Sequence, residues 1–290
     1  MIARIPASGP SDPFADLRRL TGRDLLLLSW LAEHYVLSTE QIATALFPST
    51  RSAQKRLTTL HRIGAVSRWT FARTEKTSGS YRYTLGTLGV LLHPHAYTDP
   101  DNPAAAPPRS HLERRARILR SPRLEHLLGV NTFFTDLHAR ARTSGGRAEL
   151  LRWWSEQHAT AAFRLPRVDI RPDGHGIWRE GSTHIGLFLE HDRGTEDIDR
   201  VLRKLGAYER LAADGGPRFP ILLWVPDPRR ETSLLNRLSA ARLPMAVATA
   251  VHNRNPAGPV WALAGASRGK RLFLFELPSQ PGSGHITHFA

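Results

Sequence analysis

The sequence contains no cysteine, which removes disulfides, thiolate metal sites and thiol nucleophiles from its chemistry. Lysine is almost as scarce. Lys55, Lys76, Lys204 and Lys270 are the only lysines among 40 basic residues, so arginine carries the positive charge. Long apolar runs are missing too. The most apolar window, residues 25–31, falls far short of the ~20 residues needed to cross a bilayer. The N-terminus, with Arg4, Pro6, Pro10 and Pro13 close together, offers no apolar stretch to serve as a signal-peptide core. These absences fit a cytoplasmic protein with no membrane partner.

What remains is a chain of 290 residues, 41% hydrophobic, with a formal net charge of +14. That length accommodates two domains of ordinary size, each with a buried core. The charge favours a polyanionic partner, because each phosphate neutralised by Arg or Lys releases condensed counterions. Nucleic acid is therefore the first candidate. A proline-rich interval, with Pro100, Pro103, Pro107 and Pro108 around three alanines, favours extended backbone and marks the expected boundary. The expected organisation is a DNA-binding domain over residues 20–97, a linker over 98–110 and an α/β domain over 111–275.

Three helices and a hairpin are predicted at the N-terminal end. Residues 23–35 carry Leu25, Leu28, Leu31 and Ala32 at helical spacing. Ser38 or Thr39 caps a short helix that turns Ile42, Ala43 and Leu46 inward and stops at Pro48. A third helix starts near Ser49, placing Ala53, Leu57 and Leu60 on one face and Arg51, Gln54, Lys55, Thr58 and Arg62 on the exposed side. An amphipathic helix with a cationic outer face suits the major groove of DNA. Gly64 ends it, and residues 65–71 and 81–85 read as two strands of a basic hairpin bearing Arg68, Arg73, Lys76 and Arg82. Phosphates beside the groove are their expected contacts. This is the pattern of a winged helix-turn-helix that grips duplex DNA, and such proteins can form a homodimer that reads two half-sites.

In the second half, residues 111–143 are helical with a break near Ser121 and Pro122. Asp173 then opens a hairpin that leads into the apolar run 185–189 and the acidic end Glu190-His191-Asp192. Strand alternation puts Glu190 and Asp192 on one face. Three clustered carboxylates repel unless a cation sits among them, and Mg²⁺ (or Mn²⁺) takes such oxygen ligands while retaining water and phosphate oxygens. Gly194 and Thr195 are expected to open a helix with Ile198, Val201, Leu202, Leu205 and Tyr208 on its inner face and Lys204 at its edge, able to return its ammonium toward the carboxylates. Further strands are expected over 219–225, 245–251 and 260–263, with a helix over 230–243. Strands alternating with helices in this way form a mixed sheet flanked by helices.

The arrangement of Asp173, Glu190, Asp192 and downstream Lys204 resembles the PD-(D/E)xK nuclease fold. That fold implies metal held by Asp173, Glu190 and Asp192, water activated on it, and assistance by Lys204. It departs at one point, since Asp192 stands where the fold carries its lysine and Lys204 comes from the following helix. The order of these features, together with Leu124-Glu125-His126, Trp154 with Glu156, and 189–196 with Lys204 and Tyr208, is similar to the actinobacterial replication-relaxation family from about Leu20 to Trp261. The resemblance implies a role on plasmids or integrative elements, in replication, DNA relaxation or transfer. Two functions stay open: a Mg²⁺-dependent endonuclease or nickase, and a non-catalytic initiator, accessory factor or regulator with a degenerate nuclease fold. A tyrosine relaxase built on His93-Pro94-His95 and Tyr97 is disfavoured because Pro94 is unsuited to a central strand.

Overall fold

The computed structural model describes residues 13–70, 80–94, 99, 101–102, 104–166, 168–239, 245–267 and 269–282. It divides into two compact units, Met1–Leu127 and Leu128–Ala290. Arg73 and Lys76, like His95, Tyr97, His285 and His288, lie outside the described residues.

In the first unit, α1 (Pro13–Leu17) precedes α2 (Gly22–His34), β1 (Leu37–Ser38), α3 (Thr39–Leu46), α4 (Thr50–Arg62), β2 (Val66–Trp69), β3 (Arg82–Leu85), α5 (Thr87–Leu92) and α6 (His111–Arg120). Side chains close the helix starts, at Ser38 as the sequence predicts. Thr21 with Asp24, and Ser38 with Gln41, form reciprocal capping boxes, and the Ser49 side chain accepts from the Ser52 N–H. Gly64, at φ +73°, releases the chain from α4 into β2. The three strands form an antiparallel sheet in the order β1-β3-β2. Leu28, Leu31, Ile42, Leu46, Leu57 and Leu60 fill the core between helices and sheet. Leu25 departs from expectation. It is 47% exposed, and Leu27 and Trp30 take the inward positions beside Leu28 and Leu31.

The helix α6 belongs to this first unit, whereas the sequence places it after the linker. Its Arg114 is fully buried and donates to the carbonyls of Leu31 (3.1 Å) and Ala32 (3.4 Å) near the end of α2. A cation there complements carbonyls that lack helical partners. Arg115 adds a bond to Ser67 Oγ on β2.

The second unit takes in most of α7 (Leu124–Thr143) and continues through β4 (Ala148–Ser155), α8 (Glu156–Ala162), β5 (Gly174–Glu180), β6 (Thr183–His191), α9 (Ile198–Ala213), β7 (Ile221–Val225), α10 (Pro228–Ser239), β8 (Val247–Val251) and β9 (Ala262–Leu263), followed by a short 3-10 turn at Leu274–Glu276. Among the described residues the strands form a six-stranded sheet in the order β4-β5-β6-β7-β8-β9. The β4-β5-β6 portion is antiparallel, β6-β7-β8 is parallel, and β9 returns antiparallel to β8. Parallel pairing requires crossovers, and α9 and α10 supply them. Both pack on one face of the sheet, with Phe188, Leu205, Tyr208, Leu223 and Leu234 in that core layer. On the other face Phe133, Phe134 and Leu137 of α7 meet Trp178, Trp224 and Trp261. The protein is thus a mixed α+β chain, with a small antiparallel sheet in one unit and a helix-flanked mixed sheet in the other.

Four elements of this unit differ from the sequence reading. Neither β4 nor α8 is foreseen. The helix α9 begins at Ile198, not at Gly194, because Asp197 is its N-cap and the Glu196 carbonyl is taken by Arg230 Nη2 at 2.6 Å. Finally, α10 starts two residues early, where Asp227 Oδ1 accepts the N–H groups of Arg229 and Arg230. Its Glu231 is buried and held by both Arg271 Nη atoms (2.6 and 2.8 Å) and by Thr249 Oγ1 (3.0 Å), fastening the late chain to the sheet.

Candidate functional site

Two sites follow from this framework, one in each unit. In the first unit, α4 buries Ala53, Leu57 and Leu60 and exposes Arg51, Gln54, Lys55, Thr58 and Arg62. The remaining arginine of that helix has a different task. Arg56 donates through Nε (2.9 Å) and Nη2 (2.5 Å) to the two oxygens of Asp24, and also to the carbonyl of Arg19. Burial would raise the Asp24 carboxyl, but the hydrogen bonds from Arg56 and Thr21 hold it below its ordinary range. Because Asp24 also closes the cap of α2, this pair fixes the tilt of α4 against α2.

The strands add two of the expected cations. Arg68 lies over the Tyr81 ring at 4.2 Å, and Arg82 donates to the Ser80 carbonyl at 3.2 Å. Tyr81 is itself anchored, since its carbonyl accepts from both the N–H (3.0 Å) and the hydroxyl (3.2 Å) of Thr39 at the start of α3. The hairpin therefore leaves the body of the unit from a fixed point.

In the second unit the expected residues gather at the carboxyl end of β6, next to the crossover into α9. In open α/β sheets this edge, where strands end and connections diverge, is where ligands bind. Glu190 is buried, and its Oε1 accepts from the Tyr208 hydroxyl at 2.5 Å. Its Oε2 faces Lys204 Nζ at 3.4 Å, and the same ammonium reaches Glu196 Oε2 at 3.3 Å. Lys204 and Tyr208 stand one helical turn apart on α9, so both address one carboxylate. Asp173, just before β5, accepts the His191 N–H at 2.7 Å.

The electrostatics of this group are unusual. Burial, reinforced by the charge of Asp173, pushes the Glu190 carboxyl well above the ordinary carboxylate range, and Lys204 offsets this only in part. Burial works against the Lys204 ammonium, yet Glu190, Asp173 and Glu196 together raise it. Tyr208 is driven upward by burial and by Glu190, with smaller pushes from Asp173 and Glu156. Glu190, Asp173, Lys204, Tyr208 and Glu156 thus form one electrostatic cluster with more negative charge than one ammonium neutralises.

Asp192 does not join it. Its Oδ2 takes Arg230 Nε at 2.6 Å, and its Oδ1 accepts the Gly194 N–H at 2.7 Å. Strand alternation does put Asp192 on the face of Glu190, but Arg230 from α10 claims it. Among the described residues no group of three or more His, Asp or Glu side chains is arranged to hold a metal ion. Asp173 and Glu190 still offer a pair of carboxylates short of positive charge, a donor set that suits Mg²⁺, which is commonly held by one or two protein carboxylates with water and phosphate completing its shell. Tyr208 and Arg230 are the members that sequence reasoning did not assign a role. The spacing of Lys204 and Tyr208 carried the signal for the first, whereas nothing local announces the second.

His191 points to the opposite face. It stacks on His252 with centroids 4.5 Å apart and lies against Gly129 of α7, where a Cβ would come within 2.2 Å of its Nε2. Only glycine lets α7 approach the strand this closely.

The profile of the replication-relaxation family matches residues 28–220, well over half of the chain. The chain belongs to the replication-relaxation family, and membership points to a role in replication or DNA relaxation and to interaction with DNA. No curated protein and no solved structure matches it. Among the described residues no helix is long and apolar enough to cross a membrane.

Proposed function

We propose that the protein binds duplex DNA through a winged helix-turn-helix made of α2, α3, α4 and the β2-β3 hairpin, and that its second unit is a nuclease-like domain acting on that DNA. The observation that carries this reading is α4, a helix whose inner face is wholly apolar and whose outer face offers Arg51, Gln54, Lys55, Thr58 and Arg62 to solvent. The side chains free to meet a groove are therefore cationic or hydrogen-bonding, while Arg56 sets the angle at which they are presented. Arg68 and Arg82 on the hairpin meet flanking phosphates, and a homodimer would read two half-sites.

In the nuclease-like unit, Asp173 and Glu190 would hold Mg²⁺ or Mn²⁺, which supplies an activated water and neutralises charge on the attacked phosphate. Lys204, kept cationic by its carboxylate neighbours, offers its ammonium to the phosphate oxygens. Tyr208 keeps Glu190 oriented. Asp192 contributes by holding Arg230 and thereby the 192–196 connection that carries Glu196 to Lys204. In a plasmid or integrative element such a protein would nick or relax the DNA it binds.

Supercoiled and linear plasmid incubated with the protein in Mg²⁺, Mn²⁺ or EDTA tests both halves. Binding should weaken steeply with salt, by about 0.9 in log–log slope per phosphate contacted, and Arg51→Glu with Lys55→Glu should abolish it. Nicking should require the cation and disappear in Asp173→Ala and Glu190→Ala while binding persists. Salt-independent association, or full affinity in the charge-reversed protein, rejects the DNA-binding reading. A second reading, a non-catalytic initiator or accessory factor, is favoured by the Arg230 grip on Asp192, and a parent protein that binds but never nicks would establish it.

A further inference from the structure

The C-terminal end of β4 carries an aromatic stack that the proposed reaction does not use. The Trp154 and His158 rings lie parallel, with centroids 4.4 Å apart and planes within 10°. The Arg152 guanidinium also sits over the Trp154 ring, 4.2 Å from its centroid. Trp154 is half-buried and His158 is exposed. Behind the indole stand Phe163 (6.0 Å) and His175 (5.1 Å), which are themselves packed on Phe188 and Phe219, so the stack rests on an aromatic wall. Packing accounts for the inner side of Trp154. On its outer side the exposed imidazole is laid flat on the indole beside a cation.

The position of the stack gives it meaning. Among the described residues strand β4 is one edge of the sheet, and register pairs Trp154 with His175 and Ser155 with Gly174, which in turn pairs with Leu189. The stack thus lies two strands from Glu190, at the same end of the sheet. The next residue, Glu156, already acts on Tyr208. Flat π-faces next to arginine are the chemistry by which proteins hold unpaired bases, since every base has a stacking face and the cation attends the adjoining phosphate.

We propose that Trp154, His158 and Arg152 form a platform on which an unpaired base of single-stranded DNA stacks, beside the Glu190 carboxylate. The proposal rests on the reading of the second unit as acting on DNA, and it adds the strand state of the substrate: the duplex is opened next to the site, and the released strand is held by a base rather than by phosphates alone. Because His158 is exposed, its replacement spares the core.

The test uses the full chain, a labelled twelve-nucleotide oligo(dT), an abasic oligonucleotide with the same number of phosphates, and a duplex. His158→Ala should weaken oligo(dT) binding roughly fivefold or more, His158→Phe should restore it, and duplex affinity should stay unchanged in both. The abasic strand should bind the parent as weakly as oligo(dT) binds His158→Ala. Equal binding of oligo(dT) by parent and His158→Ala, or equal binding of abasic and base-bearing strands, overturns the platform. Failure of the wider reading looks different, because duplex binding would then be insensitive to salt and to charge reversal at Arg51 and Lys55.

Discussion

The candidate sites of the two units treat charge in opposite ways. In the first, the buried carboxylate of Asp24 on the helical framework is matched by a two-pronged Arg56, and the remaining cations of α4 face water. In the second, Glu190 is buried beside a second carboxylate, with a single ammonium at 3.4 Å and a phenol for company. A matched pair fixes a framework, whereas an unmatched one stores unfavourable energy that a cation or a proton can relieve. The contrast teaches which unit is built to present a surface and which to receive something.

The largest effect should come from unmatching the first unit. Arg56→Ala leaves Asp24 buried without its partner and should cost about 3 kcal/mol or more, read as a lower denaturant midpoint. Arg56→Lys should recover little, because a lysine cannot bridge both oxygens. Full stability in Arg56→Ala would erase the contrast.

Next is the acid response of the second unit. His175 is completely buried, its Nδ1 lies 2.8 Å from the Leu187 carbonyl, and its pKa is pushed down to about 3 by burial. Since the carbonyl can only accept, the neutral ring carries its proton on Nδ1. The unfolded chain binds a proton below about pH 6.5 that the folded chain refuses, so stability falls as pH drops from there toward 3. The slope is roughly 1.4 kcal/mol per pH unit. His175→Leu should flatten that limb in thermal melts between pH 6.5 and 4.5, and an unchanged slope would refute the assignment.

Glu190 gives the opposite sign. Its folded pKa lies above the unfolded one, so its contribution is fully present below about pH 4.5 and is lost as pH rises through the folded value. Glu190→Gln should therefore raise stability at alkaline pH by on the order of 1 kcal/mol while eliminating metal-dependent nicking. Loss of stability there would mean that Lys204 balances the carboxylate fully. The smallest effect belongs to the cap of α3, where Ser38→Ala should cost about 1 kcal/mol with no change in nicking.

Much of the first unit was legible because its signals are local. Ser49, Gly64 and the Ala53-Leu57-Leu60 row define α4 within a span of sixteen residues, and the structure follows them. Leu25 misleads because four consecutive leucines satisfy more than one helical phase, and only the packing partner decides which phase is buried. Strand β4 was hidden for a different reason. A bulge between Leu150 and Arg152 breaks the alternation by which a strand is recognised. At the candidate site, Asp173, Glu190 and Lys204 were found by residue type and spacing. The fate of Asp192 depends on Arg230, thirty-eight residues later, and no local pattern carries that.

The order of the large sheet has a practical corollary for anyone trimming the gene. The family profile stops at residue 220, one position before β7. A fragment ended there would leave β6 with a bare hydrogen-bonding edge, ready to recruit strands from other molecules. It would also strip α9 of Leu223, Val225, Leu234 and Leu238, which share its hydrophobic layer. The smallest piece worth expressing runs past Leu277, where the last inward-facing leucine closes the hydrophobic interior.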